Sequence, residues 1–249
     1  MSHPEFEDRR RSFGAAASEY AEHRPGYPEA AIDWILAGAD REVRDVADVG
    51  AGAGALTELL AARGLRVTAY DPDPLMLAEL GRRVAGVPTR VATAESLPLA
   101  DASVDAVLVA QAWHWFDRPA AGREFERVVR PGGVIGLLWN VRDTRVSWMA
   151  ALQDVIGGED TLRTSRTGAM AEVARVHPGV TRRDVAHSVA MTPDALVGLV
   201  STYSYVRLRE DADQVYAAVR RLLASHPDTA GRDVVDVPYV CAAYRVLRP

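Results

Sequence analysis

Lysine is missing altogether: all 29 basic side chains of this 249-residue chain are arginine. That excludes a Schiff-base lysine, a lysine general base and the lysine of a phosphate-binding P-loop. A single cysteine, Cys241, rules out an internal disulfide and any multi-cysteine metal site, and reads as a buried inert thiol. There is no basic excess either. The net charge is −5, so no global positive field attracts nucleic acid, and the one basic run, Arg9-Arg10-Arg11, follows Glu5, Glu7 and Asp8 as on a solvated helix face. The longest strongly apolar run, Val134 to Trp139, is too short to cross a bilayer, and the stretch from Met1 to Arg11 lacks the apolar region of a secretory signal. A cytoplasmic protein without a membrane or nucleic-acid partner is expected. The 6 histidines are scattered without metal-ligand spacing, so no metal is implied.

What is present suits one filled globular domain: 48% of residues are hydrophobic and 25% charged. Phe6, Phe13 and Tyr20 recur every seven residues, the mark of an N-terminal amphipathic helix. The run Arg24-Pro25-Gly26-Tyr27-Pro28 breaks it, and Ile32, Ile35 and Leu36 mark a second helix ending near Gly38. Strands and helices then alternate, the pattern of a doubly wound, Rossmann-like α/β sheet. Strands are expected at 45–49, 66–70, 89–93, 104–110 and 134–139, the fourth nearly all apolar and therefore central. Helices fall between them, the last stopped by Pro131-Gly132-Gly133. The alternation lapses over 143–180, which suits a helical cap insertion. A sixth strand is expected at 183–191, a helix capped by Thr192 with Pro193 at its first position, another helix at about 211–224, and a closing strand at 234–247. The single domain thus divides into N-terminal lid helices (1–40), a core (41–142), the cap (143–180) and the rest of the sheet (181–249).

The most specific feature is Asp48-Val49-Gly50-Ala51-Gly52-Ala53-Gly54, set between a strand and a helix. Glycine lets the backbone turn sharply and approach a ligand where a Cβ would clash. With Ala55 the segment also matches G-x-G-x-x-A, so a dinucleotide site must be weighed. Against that, Asp48 is poor company for an anionic pyrophosphate but acceptable for a cationic ligand, and no second nucleotide-binding half follows. The second strand ends Ala69-Tyr70-Asp71-Pro72-Asp73. An acid there can accept hydrogen bonds from both hydroxyls of a ribose, while Asp73 is the better cap for the next helix.

These residues, with Ala94-Glu95-Ser96-Leu97-Pro98 and Ser103-Val104-Asp105, resemble the motifs of class I S-adenosylmethionine-dependent methyltransferases. More narrowly, Phe13, Tyr20, Arg24-Pro25-Gly26-Tyr27-Pro28, Gln111-Ala112-Trp113-His114-Trp115-Phe116, Ser204-Tyr205-Val206 and Val237-Pro238-Tyr239 are similar to the branch containing trans-aconitate methyltransferase-like enzymes. The resemblance implies a seven-stranded, mostly parallel sheet whose last strand runs antiparallel. It implies that Gly50, Ala51 and Gly52 pack against the methionine moiety and ribose of S-adenosylmethionine, that Asp71 binds the ribose, and that Pro72 and Met76 flank the adenine with Ala94 and Glu95 at its edge. Gln111 would lie near the methionine part. Tyr20 and Arg24 would close over the site, Arg24 as a partner for the cofactor carboxylate.

Aromatic faces favour a cation, so Trp113, Trp115 or Tyr20 is a candidate neighbour of the sulfonium, and Trp113, Trp115 and Tyr203 are candidates for holding the acceptor. His114 is a candidate base for a hydroxyl or amine acceptor; a carboxylate would need none. The expected activity is in-line methyl transfer to a carboxylate or hydroxyl oxygen of a small molecule, leaving S-adenosylhomocysteine. Methylation of carbon or nitrogen in a small metabolite, and a non-catalytic cofactor-binding regulator, are the alternatives.

Overall fold

The computed structural model describes residues 25–157 and 179–249. The expected N-terminal helix, with Tyr20 and Arg24, and cap residues 158–178 lie outside the described residues. Chain order runs α1 (Glu29–Leu36), β1 (Asp45–Val49), α2 (Ala55–Ala62), β2 (Arg66–Asp71), α3 (Pro74–Arg83), β3 (Thr89–Val91) and β4 (Val104–Ala110). A single 3-10 turn (Trp113–Trp115) follows, then α4 (Arg118–Val128), β5 (Val129–Arg142) and α5 (Ser147–Ile156). The chain closes with β6 (Thr181–Met191), α6 (Pro193–Ser201), α7 (Ser204–Arg207), α8 (Ala212–Ser225) and β7 (Val235–Leu247).

The seven strands form one sheet in the order β3-β2-β1-β4-β5-β7-β6. Six are parallel and β7 alone is antiparallel, pairing with both β5 and β6. The nearly all-apolar β4 is the middle strand, buried through its first six residues, because helices cover both faces there. On one face Ile32 and Ile35 of α1 and Leu56 and Leu60 of α2 pack against Val46, Leu108 and Leu138. On the other, Phe125 and Val128 of α4 pack with Val107, Trp139 and Tyr244. A further apolar cluster joins Trp148, Met149 and Leu152 of α5 to α6 and α8. The described part of the expected cap is therefore a packed helix.

The boundary that departs furthest from expectation lies between α4 and β5; β3 ends two residues early at Val91, and β6 starts two residues early at Thr181. Helix α4 stops at Val128, before Pro131-Gly132-Gly133, and β5 starts at Val129. Val129 pairs with Val104, the register shifts across the proline and glycines, and pairing resumes at Val134 opposite Ala106. The irregular residues are absorbed because the backbone on either side still finds its ladder partner. Helix α6 begins as expected, the Thr192 hydroxyl accepting from the Ala195 N–H at 3.1 Å with Pro193 in the first turn.

At the amino end of the sheet, Asp105 draws the strands together. Only 2% exposed, it accepts the backbone N–H groups of Arg44 and Asp45, both at 2.9 Å. The guanidinium groups of Arg130 (2.9 Å) and Arg41 (2.8 Å) complete the cluster. Burial works to raise its pKa, but the Asp45 and Arg44 amides and the Arg130 guanidinium prevail and hold the carboxyl below the usual carboxylate range.

Candidate active site

The glycine loop leaves β1 at its carboxyl end, where open α/β sheets bind ligands. Gly50 (φ +70°) and Gly52 (φ +54°) both lie in the left-handed region that favours glycine. The N–H groups of Gly50 and Ala51 donate to the Tyr70 carbonyl at 2.8 and 3.0 Å, which ties the loop to the end of β2. A Cβ on Gly50 would stand 2.5 Å from the Ala112 Cβ, whereas one on Gly52 would meet no atom within 4 Å. Gly50 is demanded by packing; Gly52 faces open space.

Asp71 fixes the other side of that space. One oxygen accepts the Gly52 N–H and the other the Asp73 N–H, each at 2.9 Å. Asp73 caps α3 through the Leu75 N–H at 2.8 Å, as expected, so Asp71 is not needed as the cap. The cleft so formed has a cavity volume of about 130 Å³ and opens to solvent. Its wall includes Gly50, Gly52, Asp71, Pro72, Met76, Ala94, Glu95, Gln111 and Trp115, all singled out from sequence. Glu95 is held at the edge by accepting the Asp117 N–H at 2.8 Å. Gln111 has φ +56°, one of two non-glycine residues with positive φ among the described residues. Such a conformation outside glycine persists only where the surroundings impose it. Here its N–H donates to the Leu138 carbonyl at 2.9 Å and its side-chain amide to the Asn140 carbonyl at 3.2 Å.

A second, smaller cavity of about 50 Å³ lies behind the loop and shares Gly50, Gly52, Ala110 and Gln111 with the first. Ala51, Pro25, Tyr27 and Asp48 help to line it. Asp48 is fully buried: Oδ2 accepts the Thr57 hydroxyl at 2.6 Å, while Oδ1 has no hydrogen-bond partner. Burial pushes its carboxyl up to about 7 against the pull of the Thr57 hydrogen bond, and the neighbouring Asp71 charge adds to the rise. An orphaned buried acid in a cavity wall is chemically ready for a cation.

Several sequence-selected residues fall elsewhere. Trp113, 2% exposed, packs in the core with its ring 5.9 Å from Phe125 and 6.0 Å from Phe116, so it does not wall the cleft. His114 is half-buried beside Trp115, ring centroids 4.8 Å apart, and is not part of either cavity wall. Tyr203 stacks on Tyr205 at 5.5 Å in the helical cluster, with the Arg142 guanidinium 5.2 Å over its ring, away from both cavities. Ala92, Thr93 and Phe116 line the cleft without having been selected. Only Phe116 had a sequence signal, as the last residue of the aromatic run. Among the described residues no cluster of three or more histidine, cysteine or acidic side chains could hold a metal ion, and no helix is long and apolar enough to cross a membrane.

Known proteins add to this geometry. A family model described as a methyltransferase domain matches residues 47–137. The chain is 43% identical over 237 residues to an uncharacterised methyltransferase of Mycobacterium tuberculosis, the alignment covering 94% of each. A solved structure from Anaeromyxobacter dehalogenans, described as a type II methyltransferase, has a TM-score of 0.65 and 26% identity over 90% of this chain and 97% of that one. Haemonchus contortus phosphoethanolamine N-methyltransferase 2, solved with phosphomonomethylethanolamine and S-adenosylhomocysteine, shares the fold at a TM-score of 0.55 and 17% identity, covering 100% of this chain and 60% of that one.

Proposed function

Because the chain belongs to the class I S-adenosylmethionine-dependent methyltransferases, we propose that it methylates a carboxylate or hydroxyl oxygen of a small-molecule acceptor, as a cytoplasmic member of the trans-aconitate methyltransferase-like branch. The carrying observation is that a single cleft at the carboxyl end of the sheet holds an acid anchored to a glycine loop, Asp71 on Gly52, and an aromatic wall, Trp115 and Phe116. The branch resemblance of the Gln111-to-Phe116 run supports the oxygen acceptor.

The residues present fit the cofactor. S-adenosylmethionine, when bound, supplies a methyl group activated by a sulfonium. The open space at Gly52 admits a ligand against the backbone, and Asp71 supplies a carboxylate acceptor in the cleft wall for a ribose hydroxyl. Pro72 and Met76 offer apolar faces to the base, with Ala94 and Glu95 at its rim. The orphaned Oδ1 of Asp48 supports placing the ammonium of the methionine part in the second cavity, beside Ala51 and Gln111. Trp115 presents an aromatic face that favours positive charge in the cleft.

Rate then comes from alignment, which supplies roughly 7–11 kcal/mol when reacting atoms are held in line. A carboxylate acceptor needs no base, and His114 lies off the cavity walls. His114→Ala is therefore expected to keep kcat within about threefold. A loss of about 10²–10⁴ would restore a general base. The reading itself is tested by measuring S-adenosylhomocysteine release against a panel of small carboxylic acids and phenols, with mass spectrometry of the product. A base-labile methyl ester or an aryl ether supports it; an N- or C-methyl product overturns it.

A further inference from the structure

Asn140 lies in neither cavity wall, yet three parts of the structure meet on it. It sits near the carboxyl end of β5 and is 5% exposed. Its Nδ2 donates to the Gly26 carbonyl at 2.8 Å. Its backbone carbonyl accepts the Gln111 side-chain amide at 3.2 Å. Its Oδ1 is 2.9 Å from Nε2 of His187, which reaches across β7 from β6.

The amide can face only one way. The Gly26 carbonyl is an acceptor, so Asn140 must turn its NH₂ towards it and its oxygen towards His187. That oxygen also only accepts, so the imidazole must carry its proton on Nε2. The ring is kept in place by stacking on Tyr239, centroids 5.7 Å apart and planes 27° apart. Partial burial pushes the His187 pKa down, which favours the neutral ring near pH 7.

Each end of this relay touches the second cavity. Gly26 stands between Pro25 and Tyr27, both in its wall, and Gln111 is shared by both cavities. We propose that Asn140 is a positioning residue for the cofactor site, fixing the Pro25–Tyr27 segment and the Gln111 side chain around the Asp48 cavity, and that His187 acts on the site only by orienting Asn140. This rests on the reading above that the cofactor occupies the two cavities. The β5 ladder does not depend on the side chain, since Asn140 pairs with Cys241 through the backbone.

The test is S-adenosylhomocysteine binding by titration calorimetry, on variants whose folding is checked by near-ultraviolet circular dichroism. Asn140→Asp keeps an acceptor for His187 but cannot donate to Gly26, and is expected to raise Kd roughly tenfold, the weight of one buried acceptor left unsatisfied. His187→Gln retains an N–H donor and should stay within about threefold of wild type, while His187→Val should lose about fivefold, a little under one hydrogen bond. Adding His187→Val to Asn140→Asp should cost nothing further, because both act through one contact. An unchanged Kd in Asn140→Asp, additive losses, or equal behaviour of the two His187 variants overturns the proposal. If Asn140→Asp does not fold, the His187 pair alone decides it. Asp71→Ala runs in parallel: unchanged affinity there overturns the placement of the cofactor, whereas weakened affinity there with unchanged affinity in Asn140→Asp overturns this inference alone.

Discussion

Gly50 and Gly52 stand two residues apart in one loop, yet alanine is expected to fail in them for different reasons. Gly50→Ala adds a Cβ 2.5 Å from that of Ala112 at a positive φ, so strain of about 1–2 kcal/mol joins overpacking of about 1–3 kcal/mol. A lowered Tm is the expected readout. Gly52→Ala carries the same backbone strain but no clash. Its larger effect should be on S-adenosylhomocysteine affinity, because the added methyl enters the cleft. Equal affinity in the two proteins would show that Gly52 is not a ligand-facing position. Asp48 predicts a pH dependence. Its carboxyl is raised from an unfolded value near 3.8 to about 7, so the stability it contributes is complete below the lower value and is lost as pH rises through the upper one. Asp48→Asn removes that titration, and should flatten the fall in Tm between pH 5 and pH 8. A wild-type profile identical to that of Asn would contradict the assignment.

Among elements, the amino ends of β1, β4 and β5 share the Asp105 cluster, and Asp105→Ala leaves the Arg44 and Asp45 N–H groups without their acceptor and Arg130 with Asp45 as its remaining carboxylate. A loss of about 2–4 kcal/mol is expected in denaturant unfolding, with cofactor affinity little changed because the cluster sits at the end opposite the cleft. Strands β1 and β4 were legible residue for residue, because parallel strands buried on both faces read as short apolar runs between glycine or polar turns. The beginning of β5 was not: Pro131-Gly132-Gly133 looks like a terminus, and only the partner strand reveals a bulge. The cleft wall was largely legible because it hangs on the glycine loop and Asp71, whose spacing is local. The aromatic wall was legible only in part, through Trp115. In a 3-10 turn neighbouring side chains point in different directions, so Trp113 goes to the core while Trp115 and Phe116 reach the cleft, and no periodicity separates them. Tyr203 failed as a pocket candidate for a tertiary reason, its stacking on Tyr205 among the helices.

At the scale of the molecule, β6 touches the sheet only through β7. Amides of β6 should therefore exchange with solvent faster than those of β4, which is bonded on both sides; slower exchange in β6 would contradict the strand order, and mass spectrometry of peptic fragments can read it. The half of the sheet from β1 to β5 holds Gly50, Gly52, Asp71 and Gln111 and can assemble from neighbours already made. Strand β6 has no such neighbour. During synthesis it leaves the ribosome without its ladder partner and must wait for the residues from Thr192 to Val234 to be added, a delay of about 2–9 s at the usual elongation rates. For that interval an eleven-residue strand is unguarded on both edges. The exposed Arg182, Arg183 and Asp184 at its start are the kind of charges that discourage a nascent strand from pairing with a neighbour on the same message.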